Sequence, residues 1–173
     1  MGQSGVLLDL LVLAAAYAAW LLPKWRRLGK RPLLVYTLMY GCLAGIVRFT
    51  LMPVLTALPY CFDHPYIPMH MTPFEDVILR HGDYVRQIVL NVVLFLPFGV
   101  LLPLCDRCRG RRPRFWRCLL LALALSAGIE LVQPLLHSFR SSDITDVITN
   151  TIGGVLGYAL WAFGNVCCKK RQG

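Results

Sequence analysis

The chain has 173 residues, of which 57% are hydrophobic and 16% charged, with a formal net charge of +9. A soluble domain of this size carries about 25% charged residues, so the polar surface is too small to cover a globule and a lipid-embedded fold is expected. The positive charge excludes no partner by itself, but it lies in short clusters beside apolar runs with no basic face interleaved with aromatics, which argues against nucleic acid.

Five apolar segments follow in order, at about residues 6–22, 33–52, 84–104, 115–136 and 147–167. Each is about 17 to 22 residues long, enough to cross a hydrocarbon core of about 30 Å at about 1.5 Å per residue. Backbone amides at that depth find no water, so each segment is read as a helix. The expectation is an all-α, polytopic transmembrane bundle of about five helices, forming one domain over residues 1–173.

The first segment has no Lys or Arg before it, and its basic cluster follows it, so it reads as a permanent helix rather than a secretory leader. The second contains Arg48 and has an apolar tail that could carry it on to Leu58. Residues 53–83 form a long loop in which Pro65, Pro68 and Pro73 argue against a regular helix. Its apolar tone (Tyr66, Ile67, Met69, Met71, Phe74) suggests that it lies on the membrane or folds back as a lid. The third segment carries Gln87 and Asn91 one turn apart on one face, and Pro97 at a point where a kink is expected. The fourth carries Glu130 and Gln133 at i, i+3, with Pro134 and then His137 beyond them. Around the start of the fifth, Asp143, Asp146 and Asn150 share one stripe with Gly153 and Gly157, and Arg140 lies in the turn before it. Trp20, Trp25, Trp116, Trp161 and Tyr84 stand near segment ends, as interface anchors do.

Charge sets an expected orientation. Lys24, Arg26, Arg27, Lys30 and Arg31 follow the first segment; Arg107, Arg109, Arg111, Arg112, Arg114 and Arg117 lie between or at the edges of the third and fourth; Lys169, Lys170 and Arg171 follow the fifth. Of the nine acids, Asp106 alone falls on that side. The positive-inside rule then predicts an N-out, C-in arrangement with the long loop outside. Five of the seven cysteines lie in or beside these basic clusters, in what would be a reducing compartment, so free thiols are expected in place of disulfides. Cys105 and Cys108 have metal-ligand spacing, but a lone pair without His is a weak signal, and no metal or cofactor is expected.

The polar residues within the apolar segments carry the most information, because an ionisable group in hydrocarbon costs several kcal/mol unless it is paired or hydrated. Helical rise places Asn91, Glu130, Asn150 and Arg48 at similar depth in the outer half of the membrane. Two readings stay open. Amides and small residues such as Gly153 and Gly157 can simply hold helices together. Three carboxylates and an arginine within a short stretch (Glu130, Arg140, Asp143, Asp146) exceed what packing needs, and fit a water-filled pocket.

The segment Asn91-Val-Val-Leu-Phe-Leu-Pro-Phe-Gly99 resembles the N-x-x-L-F-x-P-F-G signature of the VanZ-like membrane proteins. Ser126-Ala-Gly-Ile-Glu-Leu-Val-Gln133 is similar to their S-x-x-x-E-x-x-Q helix, and Arg140 to Gly157 resembles their R-x-x-D-x-x-D-x-x-x-N-T-x-G-x-x-x-G block. Met71-Thr-Pro-Phe74 is similar to a shorter motif before the third helix. The resemblance implies a multi-pass protein of the bacterial cytoplasmic membrane and cell envelope, in a family whose namesake is associated with resistance to the glycopeptide teicoplanin. It places ligand-binding residues at Asn91, Glu130, Gln133, Arg140, Asp143, Asp146 and Asn150.

Three functions fit these residues. An envelope factor would use Arg140, Arg48 and the amides to hold a head group, a lipid-linked cell-wall precursor or a glycopeptide at the outer leaflet. A membrane enzyme would use Glu130 as acid or base. A proton- or cation-coupled transporter would use the carboxylates as a relay, with a homo-oligomer supplying the symmetry that five helices lack. Membrane lipids are partners in every case.

Overall fold

Each apolar segment closes its own backbone hydrogen bonds, and the computed structural model, which describes residues 3–80, 82–136 and 142–170 (side chains to 167), is helical throughout its long segments. The first span is continuous. It comprises α1 (Gln3–Ala16), a π-helical turn (Tyr17–Leu21) and α2 (Leu22–Arg26). It is followed by α3 (Lys30–Thr50), the short α4 (Glu75–Leu79), α5 (Tyr84–Cys108), α6 (Phe115–Leu136) and α7 (Ile144–Lys170). Among the described residues, five spans are long and apolar enough to cross a membrane. Many of the large side chains they expose are apolar, as on the Val85, Val89, Val93 stripe of α5 and the Ile152, Leu156, Phe163 face of α7. Lipid can solvate such faces and water cannot.

Helix ends differ from the sequence expectation for local reasons. The third span runs unbroken through Pro97 and Pro103 to Cys108. The second stops at Thr50 and does not continue to Leu58. There the amides of Leu51 and Met52 both bond the Val47 carbonyl, Pro53 has no amide to offer, and those of Val54 and Leu55 are taken by Asp9.

The centre of the bundle is α7 against α5. The two run parallel, with Gly153 over Val92 and Gly157 over Leu96. A Cβ on Gly153 would lie 2.4 Å from the Val92 carbonyl oxygen, and one on Gly157 only 2.1 Å from that of Leu96, so the backbones touch where a side chain would hold them apart. This is small-residue packing of the kind that replaces the hydrophobic effect inside a membrane. Helix α6 covers α7 from another side, and α3 covers α5. Ile46, Phe95, Phe98, Leu102, Cys118, Ala122 and Ile129 form the buried apolar core between them.

The first span is held more lightly, by an aromatic group of Tyr17, Trp25, Tyr36 and Tyr40 and by two hydroxyl bonds, Tyr17 Oη to Thr37 Oγ1 (2.9 Å) and Tyr40 Oη to the Leu13 carbonyl (2.7 Å). Trp25 is therefore engaged within the protein. Trp20 and Trp116 remain exposed near helix ends, where interface anchors belong.

The loop after α3 folds back on the bundle. His70 makes an isolated parallel bridge with Asp143, its amide bonding the Ser142 carbonyl (2.8 Å) and its carbonyl accepting from Ile144 (3.0 Å). No strand occurs among the described residues.

Candidate functional site

Register between the packed helices decides which polar groups meet. Asn91 precedes Val92, the residue under Gly153, so its side chain falls one to two turns back along α7. There its Nδ2 donates to Asp146 Oδ1 (2.7 Å) and Thr149 Oγ1 (3.3 Å). On the α6 side, Asn150 Nδ2 donates to Ser126 Oγ (2.9 Å), and that hydroxyl in turn reaches the Asp146 carbonyl (3.5 Å).

The start of α7 is organised by carboxylates. Asp143 is its N-cap, with Oδ1 accepting the Thr145 amide (2.7 Å) as a capping side chain does. The Asp143 amide donates to Glu130 Oε2 (3.1 Å), and Ser142 Oγ donates to the Glu130 carbonyl. Glu130 is 2% exposed, and one of its tasks is thus to orient Asp143. Gln133, one turn on, donates to the Thr50 carbonyl (3.1 Å) and ties α6 to the end of α3.

These groups surround one cavity of about 360 Å³. Asn91, Glu130, Gln133, Asp143, Asp146 and Asn150 all line it, together with Gln87, Thr50 and Asp76. Six of the seven residues selected from sequence therefore share a wall. The seventh, Arg140, and the neighbouring His137 lie outside the described residues. Arg48 is not brought to the cavity. It is exposed, with its guanidinium 5.8 Å from the Phe49 ring centre. One buried atom of a lining residue stands out: Asn150 Oδ1 has no hydrogen-bond partner among the described residues, although Asn150 is 2% exposed. A buried polar atom without a partner is costly, and such atoms commonly mark a ligand or water position.

The loop closes one side. The Phe74 amide donates to Thr145 Oγ1 (2.9 Å), His70 Nδ1 lies 2.9 Å from Glu75 Oε2, and α4 carries Asp76 to the cavity wall. Of the two expectations for residues 53–83, lying on the membrane or folding back, residues 70–76 show contact with the bundle beside the cavity. Among the described residues, no group of three or more His, Cys, Asp or Glu is close enough to hold a metal ion.

Sequence reading passed over several members of this network: Ser142, Thr145 and Thr149, and Asp76 from the loop. Thr149 sits one turn from Asp146 and could have been found by helical spacing. Asp76 is exposed and becomes a wall residue only because the loop docks.

The chain matches the VanZ/LLP1 family model over residues 38–165, which includes every described residue of the cavity. Protein VanZ of Enterococcus faecium is 34% identical over 111 residues, which is 64% of this chain and 63% of that protein's length. The aligned part is thus under two thirds of this relative. No solved structure matches the chain.

Proposed function

We propose that this chain, a member of the VanZ/LLP1 family, is an envelope protein of the bacterial cytoplasmic membrane whose polar cavity binds a lipid head group or a moiety of a lipid-linked wall precursor. Binding there lowers the access of glycopeptides such as teicoplanin to their target. The observation that carries this reading is the convergence of amide and carboxylate side chains from α5, α6 and α7 on one cavity, in helices otherwise apolar. Asn150 Oδ1, without a partner among the described residues, and the carboxylate of Asp76 are acceptors, so the group that fits contributes donors. Sugar hydroxyls, peptide amides and amines of a precursor head group have that character. In the N-out arrangement the cavity opens towards the outer leaflet, where glycopeptides act.

The test is binding of a lipid-linked precursor, and separately of teicoplanin, to the purified full chain. Precursor binding that falls in Asp76→Ala, a change at an exposed lid residue, supports the proposal. A wild-type protein that binds neither, and that leaves teicoplanin sensitivity unchanged in a susceptible host, overturns it. Because Glu130 is buried yet reaches the cavity, a catalytic reading is the second one, with Glu130 as acid or base. Glu130→Gln separates the two: an enzyme or a proton relay stops, whereas a binder retains its ligand.

A further inference from the structure

A second cavity, of about 440 Å³, lies at the opposite end of the bundle and has a different chemistry. Its walls are apolar, formed by Met39 and Leu43 of α3, Phe98 and Leu102 of α5, and Leu121 and Leu125 of α6. Its rim is charged, formed by Asp106, Arg109 and Arg117. The cleft follows from helix packing. Both α3 and α6 pack on α5, and the polar tie that draws them together, Gln133 to Thr50, is at the far end. At the basic end residues of α3, α5 and α6 line a groove between them.

We infer that this groove holds one acyl chain of an anionic phospholipid, whose phosphate is met by Arg109 and Arg117. Asp106 is 3% exposed and pairs with one Nη of Arg117, which fixes that guanidinium at the rim with its other donors free to turn outward. Arg109 is steered by the Tyr36 ring, 5.7 Å from its guanidinium carbon. Two guanidiniums against one carboxylate leave the rim net positive, and the adjoining turn adds Arg111, Arg112 and Arg114 with no further acid. The rim lies at the end of α5 and the start of α6, where a head group sits, and Leu125 is about 12 Å inward from Arg117 by the helical rise. A free phosphate would make no use of the apolar walls, and a neutral hydrocarbon none of the rim. An amphiphile with a negative head uses both, and arginine pairs with phosphate through charge-assisted bonds.

The experiment compares retention of phosphatidylglycerol and phosphatidylcholine of identical chains on the purified full chain, read by native mass spectrometry. The wild type is expected to keep one phosphatidylglycerol at least about fivefold more strongly, the effect of one arginine at an anionic surface. Arg109→Gln should abolish the head-group preference, and Ala124→Trp, which fills the groove, should reduce retention of both lipids. Arg48→Gln, an exposed arginine at the other end, should change nothing. Equal retention of the two lipids by the wild type overturns the inference. So does displacement by inorganic phosphate alone, an unchanged preference in Arg109→Gln, or an equal loss in Arg48→Gln.

Discussion

Asp9 shows what a single carboxylate in an apolar span can do through main-chain amides. It is 5% exposed, and its two oxygens accept the amides of Val54 (2.5 Å) and Leu55 (3.0 Å), which pins the first span to the turn after α3. Replacing it with Ala leaves two donors unsatisfied, at about 1–3 kcal/mol for each buried one. Thermal unfolding of Asp9→Ala in detergent is expected at clearly lower temperature than wild type. The Asn91–Asp146 bond makes a second, sharper prediction. Asn91→Asp places two carboxyls where a donor and an acceptor met and should destabilise; adding Asp146→Asn restores a donor and should recover much of the loss. A double-mutant cycle reads the coupling, expected in the range of about 0.5–3 kcal/mol for residues in contact. Asn91, Glu130, Gln133 and the α7 acids were legible because polar groups in apolar helices are costly and therefore conspicuous. Asp9 is as costly but stands alone in its segment. Its partners are main-chain amides 45 and 46 residues away, which no side-chain pattern announces.

Between helices, Gly153 and Gly157 govern how closely α7 approaches α5, and through that approach whether Asn91 reaches Asp146. Gly157→Leu must push the Leu96 backbone away, and overpacking of this kind costs about 1–3 kcal/mol or more. Folded yield and thermal stability should fall sharply, whereas Gly164→Ala, with open space around the added carbon, should behave as wild type. The loop supplies another prediction on this scale. Thr145→Val removes the acceptor of the Phe74 amide, so residues 70–76 should be held less firmly and limited proteolysis near them should speed up. The glycine stripe itself could be read from spacing. Its partner helix, its parallel direction and its register could not, because those depend on which backbone lies against the gap.

For the molecule as a whole, the basic clusters and the polar cavity lie at opposite ends of one bundle, and the N-out, C-in orientation we propose follows from those clusters. Native cysteines offer a direct measurement. Cys61 lies in the long loop, whereas Cys108 ends α5 and Cys167 is near the end of α7. In intact cells, a membrane-impermeant maleimide should label a variant keeping Cys61 alone and spare variants keeping Cys108 or Cys167 alone. Labelling in the reverse pattern would place the polar cavity at the inner leaflet and remove the basis for contact with glycopeptides.

Sequence alone determined the class of fold, the number of spans within a few residues at each end, and most of the side chains lining the polar cavity. Those properties follow from composition and period: hydrocarbon tolerates only helices with closed backbones, and it makes each polar side chain expensive enough to notice. Tertiary structure decided the remainder. It brought Asp76 to the cavity wall by docking the loop, left Arg48 outside, paired Asp106 with Arg117, and formed the apolar groove between α3, α5 and α6. Most of these depend on distances between segments remote in the chain, set in part by backbone contact at glycines and by bonds to main-chain atoms. Main-chain amides and carbonyls are the same at nearly every position, so a sequence carries no mark of which one a side chain will find.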